Sequence, residues 1–137
     1  MAYNNKYQTA EEVEAEALDK GLHPIIIRAM ELTLDIDDEF TSLASILTKD
    51  RLEFLDRNGI KVVSNVVTTS QGGNSHVWLR VESRFLSPGA KAAIQIAMGS
   101  DYKRELIALW RNEKNGCPLY LFETPEEAKK IMKWRRS

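Results

Sequence analysis

Apolar positions recur at helical spacing in the first part of the chain and at every second residue after position 60. Thr9 stands ahead of the run Ala10-Glu11-Glu12-Val13-Glu14-Ala15-Glu16-Ala17-Leu18-Asp19-Lys20, with Glu12 in capping-box position and Gly21 as the stop. The spacing predicts a helix whose apolar face, Val13, Ala17 and Leu18, is thin, so it depends on a partner surface. His23-Pro24 is read as opening a second helix, with Pro24 at the tolerated first position and Ile26, Ile27, Met30 and Leu34 at i, i+3, i+4 spacing. A third apolar segment, residues 40–47, follows the acidic Asp35-Ile36-Asp37-Asp38-Glu39. Thr48 then caps a short helix carrying Leu52, Phe54 and Leu55, which Asn58-Gly59 ends.

The period changes at Ile60. Residues 60–69 and 76–85 are β-branched, alternating and of strand length, and Ser70-Gln71-Gly72-Gly73-Asn74-Ser75 between them is turn chemistry, which predicts a β-hairpin. Pro88-Gly89 breaks the chain. Residues 90–98 and 101–112 are open between helix and strand: Leu106, Leu109 and Trp110 fit a helix, while the turn at 112–116 followed by the apolar 118–122 equally closes a second hairpin, making the sheet a meander. The end is plainer: Thr124 caps a final helix, Pro125 takes its first position and Glu127 completes a capping box. The sum is a single α+β domain over residues 1–137, with a helical N-terminal layer on an antiparallel sheet, either hairpin or meander, and a C-terminal helix.

Composition supports one globular domain. The chain has 137 residues, 43% of them apolar and 28% charged, enough for a core and too balanced for a disordered protein. Its longest apolar runs fall far short of the roughly 20 residues of a membrane helix, and the acidic N-terminal stretch has no signal or transit pattern, so a soluble, cytoplasmic protein is expected. Cys117 is the single cysteine, which excludes an internal disulfide; beside Pro118 at the start of an apolar run it reads as a small core residue.

Charge is divided more informatively than the net value of −1 suggests. Residues 1–59 form the acidic helical part and 60–137 the basic part; up to residue 56 there are 13 acidic against 5 basic side chains, and beyond it 7 against 14. Such asymmetry points either to polyanion binding by the basic half or to halves that face each other or another copy.

Few motifs carry chemistry. An EF-hand beginning at Asp35 would need glycine and glutamate where Phe40 and Ile46 stand, so Asp35, Asp37, Asp38 and Glu39 read as the acidic start of a helix and no metal is expected. His23 and His76 lie apart from Cys117, without zinc-ligand spacing. Gly72-Gly73 lacks the phosphate-loop pattern and is read as a hairpin tip. With no nucleophile signature and no cofactor motif, catalysis is not the leading expectation, although a site assembled from distant residues stays open.

The remaining signals are aromatic and cationic. In strand 76–85, Val77, Leu79, Val81 and Phe85 share one face and His76, Trp78, Arg80, Glu82 and Arg84 the other, an arrangement suited to stacking bases and holding phosphates unless a helix covers it. On the final helix, Ala128, Ile131 and Met132 form the buried stripe, Lys129, Lys133 and Arg136 form a basic ridge, and Trp134 falls at the edge. Trp110-Arg111 is a further aromatic-cation pair. The expected function is a small binding or regulatory protein holding a nucleic acid or other extended anion through Trp78, Arg80, Arg84, Arg111, Lys129, Lys133, Trp134 and Arg136. A protein-interaction module, homo-oligomer or inhibitor, acting through the acidic N-terminal layer is the alternative, and a small enzyme with a composite site is the third reading.

Overall fold

The structure, a computed structural model, describes residues 8–36, 47–70 and 72–137. Its elements run α1 (Ala10–Asp19), β1 (His23–Ile26), β2 (Glu31–Ile36), α2 (Lys49–Arg57), β3 (Lys61–Thr69), β4 (Ser75–Glu82), α3 (Pro88–Ala97), α4 (Tyr102–Asn115), β5 (Tyr120–Glu123) and α5 (Pro125–Arg136). The chain is α+β, with two antiparallel sheets: β2-β4-β3 and β1-β5. No described helix is long and apolar enough to cross a membrane.

Local signals set the helix starts. Thr9 accepts the Glu12 N–H while the Glu12 carboxylate accepts the Thr9 N–H, the reciprocal bonds of a capping box. Thr48, Ser87 and Thr124 cap α2, α3 and α5 in the same way, each hydroxyl accepting an N–H three residues on. At α5 the Glu127 carboxylate reaches instead to the Thr69 N–H (3.1 Å) and to Lys130, tying the helix to the end of β3. Gly116, at φ 66°, ends α4 in the left-handed conformation open to glycine.

The hairpin is present: β3 and β4 pair from Lys61 opposite Glu82 to Thr69 opposite Ser75, with a bulge between Val62 and Ser64. One expectation is corrected. Residues 23–34, read as a helix, hold the strands β1 and β2, because the β-branched Ile25 and Ile26 and the alternating Leu32, Leu34 and Ile36 fit extended partners distant in sequence: β5 for β1 and β4 for β2. Residues 90–112, left open between helix and strand, form α3 and α4, and of the hairpin and meander alternatives the hairpin is the one present: β5 closes no second hairpin and pairs with β1. The apolar segment 40–47, except Leu47, and the acidic Asp37, Asp38 and Glu39 lie outside the described residues.

Period-two alternation divides the core across the larger sheet. Leu32, Leu34, Ile36, Val77, Leu79 and Val81 face Leu55, Ile60 and Met98. On the opposite face Trp78 packs with Ile25 and Leu121 of the small sheet and Ala128, Ile131 and Trp134 of α5. A third cluster, Val13, Cys117 and Tyr120, receives α1, so Cys117 is a core residue and burial pushes its thiol pKa up. Each fully buried aliphatic side chain contributes about 1.5–3 kcal/mol of transfer free energy.

The β2 edge of the larger sheet is closed by side chains. The Thr33 N–H donates to Gln95 Oε1 and the Asp35 N–H to Ser100 Oγ, both at 2.9 Å. Glu105 accepts from Gln95 Nε2 (2.8 Å) and from Ser100 Oγ (2.7 Å), which orients both groups. Burial pushes the Glu105 carboxyl up to about 6, an effect only partly offset by Ser100, Arg104 and Gln95.

Candidate functional site

The antiparallel registers place Asp35 and Thr68 on either side of His76, and Thr33 and Val66 on either side of Trp78. Because alternate residues share a face, this one sheet surface collects the polar groups of three strands. The small sheet and α5 cover it, and β5 ends with Glu123, whose side chain is wholly buried, directed at His76 and Trp78.

Glu123 is the hub of the resulting network. Its Oε1 lies 3.0 Å from His76 Nδ1, and its Oε2 accepts from Trp78 Nε1 and from Thr68 Oγ1, both at 2.7 Å. On the other side of the imidazole, Nε2 faces Asp35 Oδ1 at 3.5 Å, and Asp35 Oδ2 pairs with Arg104 at 3.3 Å. Burial alone would lower the His76 pKa, but the facing Asp35 carboxylate and the hydrogen-bonded Glu123 carboxylate outweigh it and raise it from its ordinary value. Asp35 shows the converse: burial pushes its carboxyl up, while His76 and Arg104 together bring it below its ordinary value. His76 is therefore an oriented imidazole held between two carboxylates that favour its protonated form, able to hold a proton at a fixed position. Those carboxylates lie against opposite ring nitrogens and do not converge, and no cluster of three or more His, Cys, Asp or Glu among the described residues is placed to hold a metal ion.

On the solvent side of this network, and lined by three of its members, a cleft of about 390 Å³ opens between the hairpin tip and α4. Lys20, Arg104 and Arg111 supply its cationic lining, His76 an imidazole, Asp35 its carboxylate, and Ser70, Gly72 and Asn74 its rim at the tip. Arg104 also donates to the Tyr120 carbonyl (3.0 Å), and Arg111 to Gln8 Oε1 (3.0 Å), so the protein itself positions both guanidinium groups. Asp35 thus belongs to a strand and its ion-pair network, a correction of its reading as part of a helix start.

The eight residues singled out from the sequence separate. Trp78 is wholly buried, and Trp134, expected at the interface edge, is 8% exposed with its Nε1 donating to Ser64 Oγ. Both are core residues because α5 turns Ala128, Ile131 and Trp134 inward and leaves Met132 partly exposed. Arg80 stacks over Trp134 at 5.0 Å and donates to the carbonyls of Trp134, Arg135 and Ser137 at the end of α5. Reciprocally, Arg135 of α5 stacks over Trp78 at 5.4 Å, so these aromatic faces serve the protein's own cations. Arg111 lines the cleft, Arg84 is exposed beyond the end of β4, and Lys129, Lys133 and Arg136 are exposed on α5.

Sequence reasoning missed Glu123, Arg104, Lys20 and the buried Glu31–Arg135 pair, in which Arg135 meets Glu31 at 2.7 Å and 2.9 Å. None carries a local motif; the antiparallel registers and the docking of α5 bring them together. Compared with protein-family models, curated proteins and solved structures, the chain has no significant match.

Proposed function

We propose that the protein binds a phosphate-bearing anion in the cleft between the hairpin tip and α4. The observation carrying this reading is the convergence of Lys20, Arg104 and Arg111 on one concave surface beside His76, whose protonated form its neighbours favour. Guanidinium groups offer several N–H donors in a fixed plane suited to phosphate oxygens, and the internal bonds of Arg104 and Arg111 reduce the entropy lost on binding. Asp35, beside Arg104, disfavours a bare polyanion and suits a ligand with a hydrogen-bond donor near its phosphate. The ligand class is a nucleotide or the end of a nucleic-acid strand, which modifies the expectation of an extended anion lying along Trp78 and Trp134.

Calorimetric titration with pyrophosphate, a mononucleotide and a short single-stranded oligonucleotide at low salt tests this. Arg111→Gln and Lys20→Gln should each weaken binding several-fold and reduce the salt dependence of oligonucleotide binding, whereas Lys129→Glu on the outer face of α5 should leave affinity unchanged. Binding lost only in Lys129→Glu, or no binding by any of the three probes, would overturn the cleft as the site.

A further inference from the structure

A second concave surface lies between β1 and α5, a groove of about 520 Å³. Pro24, Ile26, Ala128 and Met132 form its apolar floor, with Ile26 49% exposed and Met132 37% exposed. Lys129 and Arg136 form its rim, and no Asp or Glu is among the described residues that line it. Lys129, Met132, Lys133 and Arg136 follow one another at i, i+3, i+4 and i+7, so the ridge flanks the exposed methionine along one helix face. Among the described residues, Lys129 meets a carboxylate only in a 3.8 Å contact with the exposed Glu126.

The groove is unsuited to an added strand. Pro24 lacks an N–H on the edge of β1, and Arg135 Nη2 already donates to the Ile26 carbonyl at 2.7 Å. An occupant must therefore bind through side chains, as a helix does in an apolar groove. The chain itself carries the complement. On α1, Glu11, Ala15, Leu18 and Asp19 lie within about 100° of one another around the helix and are all exposed, Leu18 at 66%. This is an acidic stripe bordered by an exposed leucine in the last turn of the helix, complementary in charge to a basic groove with an apolar floor.

We infer that the protein self-associates by docking α1 of one copy into the β1–α5 groove of another, with Leu18 on Ile26 and Met132, and Glu11 and Asp19 against Lys129 and Arg136. The surface α1 presents differs from the groove that receives it, so the contact is heterologous unless two copies exchange α1 helices reciprocally.

Sedimentation velocity across a concentration series, at low and high salt, reads the assembly. The full chain should gain mass with concentration and lose it with added salt. The double variant Lys129→Glu/Arg136→Glu should stay monomeric, and so should Glu11→Lys/Asp19→Lys; mixing these two proteins should restore association, because each then offers a surface complementary to the other. Leu18→Asp in the unaltered background should also be monomeric, with circular dichroism showing that α1 remains folded. A full chain that is monomeric throughout, association that persists in the groove-reversed variant, or a mixture that stays monomeric would each overturn the inference.

Discussion

His76 Nδ1 and Glu123 Oε1 lie 3.0 Å apart, and this contact joins the centre of the three-stranded sheet to the end of the two-stranded one. Its two ends are 47 residues apart in sequence. Trp78 and Thr68 donate to the same carboxylate, so one glutamate closes the polar layer between the sheets.

Replacing Glu123 with Ala leaves His76, Trp78 and Thr68 facing an apolar void and should cost about 3–5 kcal/mol, measured by denaturant unfolding. Glu123→Gln keeps the shape and removes the charge, and the His76 pKa should fall, because the Glu123 bond and charge help raise it. An NMR titration of the His76 ring checks this; an unchanged midpoint in the Gln variant would remove Glu123 as a cause of the shift.

Stability should peak at mildly acidic pH. Glu105 has a folded pKa raised from 4.5 to about 6, so its contribution is full below pH 4.5 and is lost as the pH rises through about 6, by roughly 2 kcal/mol. His76 acts in the same direction: its raised pKa gives stability that is complete below 6.5 and disappears as the pH rises through the folded value. Asp35 acts oppositely, its stabilisation being present above 3.8 and lost as the pH falls through its lowered folded value. Denaturation midpoints measured from pH 3 to 9 should trace this dome, and Glu105→Gln should flatten its alkaline side between about pH 4.5 and 7.

Arg135→Lys should destabilise by about 1–3 kcal/mol. Lysine cannot reproduce the two bonds to Glu31, the bond to the Ile26 carbonyl and the planar stack on Trp78 together. The neighbouring Lys133→Ala, at an exposed position, should stay within about 0.5 kcal/mol of the original chain in the same unfolding assay. Equal effects of the two substitutions would contradict the buried ion pair.

The helix starts at Thr9, Thr48 and Thr124 and the hairpin at Gly72-Gly73 were legible because capping and turn formation act within three or four residues. The strands β1 and β2 were not, because Ile26, Ile27, Met30 and Leu34 satisfy helical spacing over a short window, and only pairing with distant β5 and β4 selects the extended form. Trp78 was placed on the right strand face, but whether that face meets solvent depends on where α5 lands.

The sequence by itself determined the α+β class, the hairpin, the capped helices, the core position of Cys117 and the basic ridge Lys129, Lys133 and Arg136, all properties of local periodicity and neighbouring groups. Tertiary structure alone decided that Asp35, His76 and Glu123 form one network, that Arg80 and Arg135 stack on each other's partner tryptophans, and that Lys20, Arg104 and Arg111 share a cleft. Arg104 and Arg111 share one face of α4 at i, i+7, but strand register and helix docking carry the other contacts across 41 to 91 positions of chain, distances over which no local spacing rule correlates one residue with another.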